Sequence, residues 1–280
     1  MSSSSFFSGK VVLITGSSNG IGREVARRFA ALGAKITITG RKADALSATR
    51  KVCIGAGANE GNILEVVGDI AHEDTLTKLV EGTVAKFGQI DVLINNAGLF
   101  AVDPMMRTGI EQPLEIFDTT MAVDLRSIVA LSQLAIPHLE KSKGAIVNVS
   151  SILAAPVVSP SSPYYAVAKA ALDQLTIQMA GTLIHKGIRV NCVNPGTTVT
   201  NIMVNAGIPQ ETSDQIYKGI ASNGDIPIGR VGTSEDIAEL ILFLADRSKS
   251  EFIVGQRITI DGGSSLRNVL LSKDTPVLPK

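Results

Sequence analysis

Thr15-Gly16-Ser17-Ser18-Asn19-Gly20-Ile21-Gly22-Arg23 follows a β-branched run at residues 10–15 and leads directly into a stretch with the helical spacing Val25, Phe29, Leu32. Three glycines between a strand and a helix allow a tight turn, let the backbone approach a pyrophosphate, and let the helix pack close to the sheet. The helix N-terminus then offers unpaired amide donors and a partial positive charge to phosphates. Glycines also make purely structural turns, so the cluster alone is a weak signal. Its position between strand and helix is what points to a dinucleotide. A P-loop would end in Gly-Lys-Ser/Thr, and this loop ends in Gly22-Arg23.

Outward from the loop, short β-branched runs alternate with amphipathic stretches along the whole chain. Seven such runs occur, at residues 10–15, 35–39, 63–67, 91–94, 145–149, 189–193 and 257–260. Between them the helical period recurs, as in Leu76, Leu79, Val80 and Phe87, in Leu172, Leu175, Met179 and Leu183, and in Ile237, Leu240, Ile241 and Leu244. This alternation predicts an α/β chain with a parallel sheet covered by helices on both faces. No linker or repeat divides it, so residues 1–280 read as one domain. The rhythm breaks at residues 99–113 and 195–227, which follow strand ends, where open α/β sheets keep their ligands, and in the Ser/Pro-rich loop 158–163.

Composition narrows the function. Lys plus Arg and Asp plus Glu both count 26, and hydrophobic residues make up 45% of the 280 residues. That is an ordinary globular interior under a neutral surface, not a disordered chain. A nucleic-acid partner is not expected, because contact with a phosphate backbone needs a basic excess, and with no Trp, three Tyr and eight Phe there are few stacking platforms. Cys53 and Cys192 form no disulfide or metal spacing, and a reducing, cytoplasmic location is expected. The start, Met1 to Ser8, lacks the basic and apolar regions of a signal peptide and reads as a short frayed lead-in. No apolar run approaches the roughly 18 residues of a bilayer span, so no membrane partner is expected.

The second run ends Thr39-Gly40-Arg41, without the carboxylate that would accept hydrogen bonds from the ribose 2′-hydroxyl of NAD. A guanidinium at Arg41 would pair with a 2′-phosphate instead, helped by Ser18, Asn19 and Arg23, and the cofactor is read as NADP(H). Arg41 could also be a solvated residue at a helix start.

Tyr165 and Lys169 are spaced i, i+4 at the start of a helical stretch, which puts phenol and ammonium on one face. The adjacent cation is expected to lower the phenol's pKa and make Tyr165 a general acid. Such pairs also arise by chance, and the value of this one lies in its company. Asn148-Val149-Ser150-Ser151 ends the fifth run, where a hydroxyl can hydrogen-bond a substrate carbonyl; the same serines could simply cap the strand. A Ser151 hydrolase is poorly supported without a Gly-x-Ser-x-Gly elbow, and His72, His138 and His185 lack zinc spacing, so no metal is expected.

Taken together, residues 15–22, Asn95-Asn96-Ala97-Gly98, Ser151, Tyr165 with Lys169, and Pro195-Gly196 resemble the short-chain dehydrogenase/reductase family, close to its tropinone-reductase-like and carbonyl reductase members. The resemblance covers a core at residues 9–263, leaving a C-terminal tail at 264–280. It implies a Rossmann-type doubly wound fold and reversible hydride transfer between NADP(H) and a carbonyl or alcohol. Ser151 would then orient the carbonyl, Tyr165 would donate the proton, and Lys169 would bind the nicotinamide ribose while lowering the phenol's pKa. Gly16, Ser18, Asn19, Gly20, Ile21 and Gly22 would hold the pyrophosphate end, Asp69 and Ile70 would contact the adenine, and Asn96, Ala97 and Gly98 would line the inner ribose. Pro195, Gly196, Thr198 and Thr200 would hold the nicotinamide amide. One position departs from the family pattern. The segment Met121-Ala122-Val123-Asp124-Leu125 carries Asp124 where members usually have Asn, and an ionised Asp124 near Lys169 would favour the ammonium while opposing a tyrosinate.

The loop at 195–227 reads as a substrate lid. Its apolar Ile202, Met203, Ile208, Ile216, Tyr217 and Ile220, with Leu153, Val158 and Tyr164, suggest a mostly apolar small-molecule substrate, although they could equally be packing. Family members are commonly oligomers, so a homotetramer or dimer is expected, with the tail crossing an interface or frayed. The alternative to an enzyme is a catalytically silent NADP(H)-binding regulator on the same fold.

Overall fold

Along the first strand, β1 (Val11–Ile14), Val12 and Ile14 point to one face of the sheet and Leu13 to the other, and all three side chains are fully buried. Burial on both faces is why the strand sequence is a continuous apolar run rather than an alternating one. The computed structural model describes residues 6–266, apart from 106, 157, 158 and 160. Its strands are β1, β2 (Lys35–Gly40), β3 (Ile63–Val67), β4 (Val92–Asn95), β5 (Ala145–Val149), β6 (Arg189–Pro195) and β7 (Arg257–Ile260), within a residue or two of the runs read from the sequence. They form one parallel sheet in the order β3-β2-β1-β4-β5-β6-β7, with Val12 opposite Ile36 on one side and Val92 on the other.

Three helices cover one face: α1 (Gly20–Ala31), α2 (Ala43–Gly55) and, later in the chain, α9 (Ser234–Ala245). Val25, Phe29, Leu46 and Ile241 pack there on Val12, Ile14, Ile36 and Ile38. On the other face lie α3 (Glu73–Phe87), the consecutive helices α4 (Leu114–Met121) and α5 (Ser127–Ser142), and α6 (Pro163–Leu183). Leu76, Leu79, Leu131, Leu139 and Leu183 pack there on Leu13, Leu93, Ile146 and Val190. Two further helices, α7 (Ile202–Asn205) and α8 (Gln210–Ser222), leave the sheet after β6. The strand order reverses between β1 and β4, so the loops after these strands diverge and open a crevice at their carboxyl ends.

Two features depart from the sequence reading. The lead-in is not frayed at its described end: Phe7 is 1% exposed, with its ring edge-on to both Phe6 and Phe29, because the two rings extend the apolar layer of α1. Helices α4 and α5 are joined by a single π-helical segment, Ala122–Arg126, giving a helical stretch from 114 to 142 that is long and apolar enough by composition to cross a bilayer. Here Ile128, Leu131, Ala135 and Leu139 of that stretch are buried in the protein interior. The position of Val158 and the tail beyond residue 266 lie outside the described residues.

Candidate active site

The glycine loop is held by the turn after β4. Thr15 Oγ1 accepts the backbone N–H groups of Asn96 and Ala97, each at 3.0 Å, and Asn96 Nδ2 donates back to the carbonyls of Thr15 (2.9 Å) and Gly16 (3.1 Å). Gly16 takes a left-handed φ of +66°. A Cβ on Gly22 would lie 2.3 Å from the Gly16 carbonyl oxygen and 2.5 Å from Asn96 Nδ2, so the first turn of α1 can close on the loop only without a side chain there. Asn95, one residue earlier, turns inward and donates to Asn148 Oδ1 at 2.9 Å, and Asn148 donates to Thr176 Oγ1 at 2.9 Å. The Asn-Asn-Ala-Gly turn thus both supports the sheet and braces the loop.

A cleft of about 390 Å³ runs from this loop across the strand ends. Gly16, Ser18, Asn19, Gly20, Ile21, Gly22, Arg41, Asp69 and Ile70 line one end, Asn96, Ala97 and Gly98 its middle, and Pro195, Gly196, Thr198 and Thr200 its far wall. The structure therefore brings together every residue read as cofactor-binding except Arg23. Arg41 is exposed at the mouth and forms no ion pair among the described residues. Arg23 does not join it. Its guanidinium turns back onto the Ser18 carbonyl and donates through Nε to Thr49 Oγ1 at 3.0 Å, because from the first turn of α1 that carbonyl is the nearest acceptor.

Ser151, Tyr165 and Lys169 meet on the floor of the same cleft. Ser151 caps the short turn after β5, its Oγ accepting the Leu153 N–H at 3.1 Å, which leaves the hydroxyl hydrogen free to donate. Pro163 begins α6 at a position where a missing N–H costs nothing, and one helical turn then separates Tyr165 from Lys169. Lys169 Nζ lies 5.3 Å from the centre of the Tyr165 ring, and Phe100 meets the ring from another side with centroids 5.7 Å apart. Phe100 escapes sequence reasoning, since its loop has no periodic pattern. Lys169 acts on the phenol's pKa in the sense the sequence suggests, but it does not set the net direction. Burial pushes it above the ordinary tyrosine value; Lys169 pulls it down, Asp124 pushes it up, and Ser151 adds a small downward effect, so the net direction is up.

Asp124 explains part of that balance. It does not line the cleft but sits one layer behind it, fully buried in the π-helical segment, with Oδ1 3.1 Å from Lys169 Nζ. The Leu99 N–H donates to both carboxylate oxygens at 3.2 Å. Burial pushes the Asp124 carboxyl up, with Lys169 and the Leu99 amide opposing. Burial works against the Lys169 ammonium, yet Asp124 and Tyr165 together hold it above the ordinary lysine value. Lys169 also donates to the Val149 carbonyl at 3.2 Å, so two of its three hydrogens are committed and one remains for the cleft.

The lid reading holds only in part. Leu153, Ile202, Met203 and Tyr217 line the cleft, whereas Ile208, Ile216 and Ile220 do not. Helix α8 directs its Tyr217 face inward and leaves Ile216, 37% exposed, on its other side. Tyr164 also points elsewhere, donating to the Gln112 carbonyl at 2.8 Å with its ring edge-on to Phe117. One residue before Tyr165 on a helix is about 100° of rotation away, which places Tyr164 against the 99–113 loop. Among the described residues, no cluster of three or more His, Cys, Asp or Glu suits a metal.

Comparison with known proteins places the fold and the family. Residues 16–265 match a family model described as enoyl-(acyl carrier protein) reductase. The solved structure of a short-chain dehydrogenase/reductase of unknown function from Caenorhabditis elegans, with cofactor, superposes with a TM-score of 0.92 at 46% identity, covering 94% of this chain and 97% of that one. An uncharacterized oxidoreductase of Thermotoga maritima is 37% identical over 92% of this chain and 98% of its own length. The meso-2,3-butanediol dehydrogenase of Serratia marcescens is 35% identical over 92% of this chain and 96% of its own.

Proposed function

The chain belongs to the short-chain dehydrogenase/reductase family of nicotinamide-dependent oxidoreductases, and from that premise we propose that it is an NADP(H)-dependent carbonyl reductase interconverting a largely apolar ketone and its secondary alcohol. The observation that carries the proposal is the single cleft shared by the glycine loop and the Ser151, Tyr165, Lys169 group.

The residues present fit the cofactor. Gly16, Gly20 and Gly22 line the cleft where α1 begins, a place where a helix N-terminus offers amide donors to phosphates, and Arg41 is a cation without an ion-pair partner among the described residues, suited to a 2′-phosphate. Asp69 and Ile70 would border the adenine, Asn96 to Gly98 the inner ribose, and Pro195 to Thr200 the nicotinamide amide. When bound, the dinucleotide supplies or accepts the hydride at the carbonyl carbon.

The chain's own groups handle the oxygen. Ser151 donates its free hydroxyl hydrogen to the carbonyl oxygen, and the Tyr165 phenol gives that oxygen its proton as the carbon is reduced; in the reverse direction the phenolate takes the proton back. With burial keeping the phenol protonated through neutral pH, the resting site is in the form that reduction needs. Lys169 offers its remaining hydrogen to the cleft and stabilises the tyrosinate left behind.

Among the described residues, the charged side chains lining the cleft are Arg41, Asp69 and Lys169, the first two at the dinucleotide end. At the other end Phe100, Ile152, Leu153, Met203 and Tyr217 line the space, which favours an uncharged, apolar ketone over an acidic one.

NADPH oxidation against a panel of neutral ketones tests the reading. Tyr165→Phe should lower kcat by about 10³-fold while NADPH still binds. If NADPH binds and no ketone gives a Tyr165-dependent signal, the enzyme reading fails and a nucleotide-binding regulator takes its place.

A further inference from the structure

Behind Ser151 lies a second polar group that the proposed chemistry does not touch. Asn194, near the end of β6, is 5% exposed, and its Nδ2 donates to the Ser151 carbonyl at 3.0 Å. The same nitrogen faces both oxygens of Asp173, at 2.8 and 3.1 Å. Asp173 is itself 7% exposed and follows Tyr165 and Lys169 at intervals of four along α6, so the three share one helix face. Cys192 Sγ, two residues before Asn194, also approaches Asp173 Oδ1, at 3.7 Å.

An amide that donates both hydrogens can take only one orientation here, because a flipped Asn194 would turn its oxygen onto a carboxylate. The carboxylate therefore sets the amide, and the amide holds the Ser151 carbonyl. This matters because Ser151 stands just past β5, where the ladder to β6 ends with Val149 opposite Val193 and the Ser150 N–H donating to the Val193 carbonyl at 2.8 Å. Beyond that point no ladder bond anchors Ser151: its carbonyl accepts the Ala154 N–H of its own turn at 3.0 Å and its Oγ accepts the Leu153 N–H, so Asn194 is what ties that turn to β6.

We propose that Asp173 and Asn194 form a strut from α6 through β6 to the Ser151 carbonyl, which positions the Ser151 hydroxyl relative to Tyr165 on the same helix. Both are positioning residues; neither reaches the cleft. The inference rests on the reductase reading for its kinetic consequence, but the geometry it assigns can be read without turnover.

The exchanged pair Asp173→Asn with Asn194→Asp is the discriminating variant. It keeps an amide facing a carboxylate, so the buried pairing survives, but residue 194 can no longer donate to the Ser151 carbonyl. Folded protein should show kcat for a neutral ketone lowered about tenfold with KM for NADPH unchanged, and Leu153 amide hydrogen exchange faster by about tenfold. In a Ser151→Ala background the exchange of the pair should cost nothing more in kcat. If the exchanged pair does not fold, Asp173→Leu with Asn194→Leu removes the same donor without stranding a buried charge and is read in the same way. Wild-type kcat and wild-type Leu153 exchange in a folded variant would overturn the strut, as would an undiminished further loss in the Ser151→Ala background. A wild-type protein that reduces no ketone counts against the reductase reading, while the Leu153 exchange still decides the strut.

Discussion

Lys169 Nζ lies 3.1 Å from Asp124 Oδ1, with the side chains 2% and 0% exposed, so the cation facing the phenol is already half of a buried ion pair. Three donor contacts converge on the Asp124 carboxylate, one from the ammonium and two from the Leu99 N–H. Such a pair is costly to break from one side but keeps its partner charged. For Tyr165 the two charges act in opposite senses, the ammonium lowering its pKa and the carboxylate raising it.

Asp124→Asn therefore tests the sign. The amide oxygen can still accept from Lys169 and Leu99, while the negative charge is lost and with it the upward push on Tyr165. Reduction needs the phenol and fails as pH rises through its pKa; oxidation needs the phenolate and rises through the same point. Both limbs should move to lower pH in the variant, with KM for NADPH unchanged, as measured by kcat profiles in the two directions. Limbs that stay in place would make Asp124 a packing residue.

Arg41→Ala should weaken NADPH selectively. A charge-assisted contact to a phosphate is worth about 1.5–3 kcal/mol, so KM for NADPH is expected to rise about 10- to 100-fold. KM for NADH, which has no 2′-phosphate, should change little. Equal losses for the two cofactors would remove the basis for assigning NADP(H).

Gly22→Ala places a methyl against two groups that cannot easily yield, the Gly16 carbonyl at 2.3 Å and Asn96 Nδ2 at 2.5 Å. Relief requires α1 to move off the loop, at a cost of about 1–3 kcal/mol in stability. Thermal unfolding should show a lowered midpoint, and NADPH titration should show binding lost or strongly weakened. Unchanged binding in a folded variant would mean that the loop does not hold the dinucleotide.

Much of this architecture is legible in the order of residues along the chain. The seven strand runs are continuous and β-branched because a doubly covered sheet buries both sides of each strand, and helix faces such as Val25 with Phe29 repeat with the helical period. The glycine loop and the Tyr165–Lys169 spacing are local features, so they too can be read from neighbouring positions. Distance in sequence hides the rest. Phe100 against Tyr165, Arg23 turned onto Ser18 and Thr49, and the sorting of Tyr217 from Ile216 all depend on which way a side chain leaves its element.

The sequence by itself determined the layers, the strand count and the residue types available at the strand ends, because periodicity and burial are set by neighbours a few positions apart. Only the tertiary structure decided the balance at the phenol, where Asp124, Lys169 and Tyr165 come from two separate helical stretches and their charges act through space. It alone also joined Asp173 to Asn194 and Asn194 to Ser151, since a buried hydrogen bond between residues 21 or 43 positions apart leaves no periodic trace.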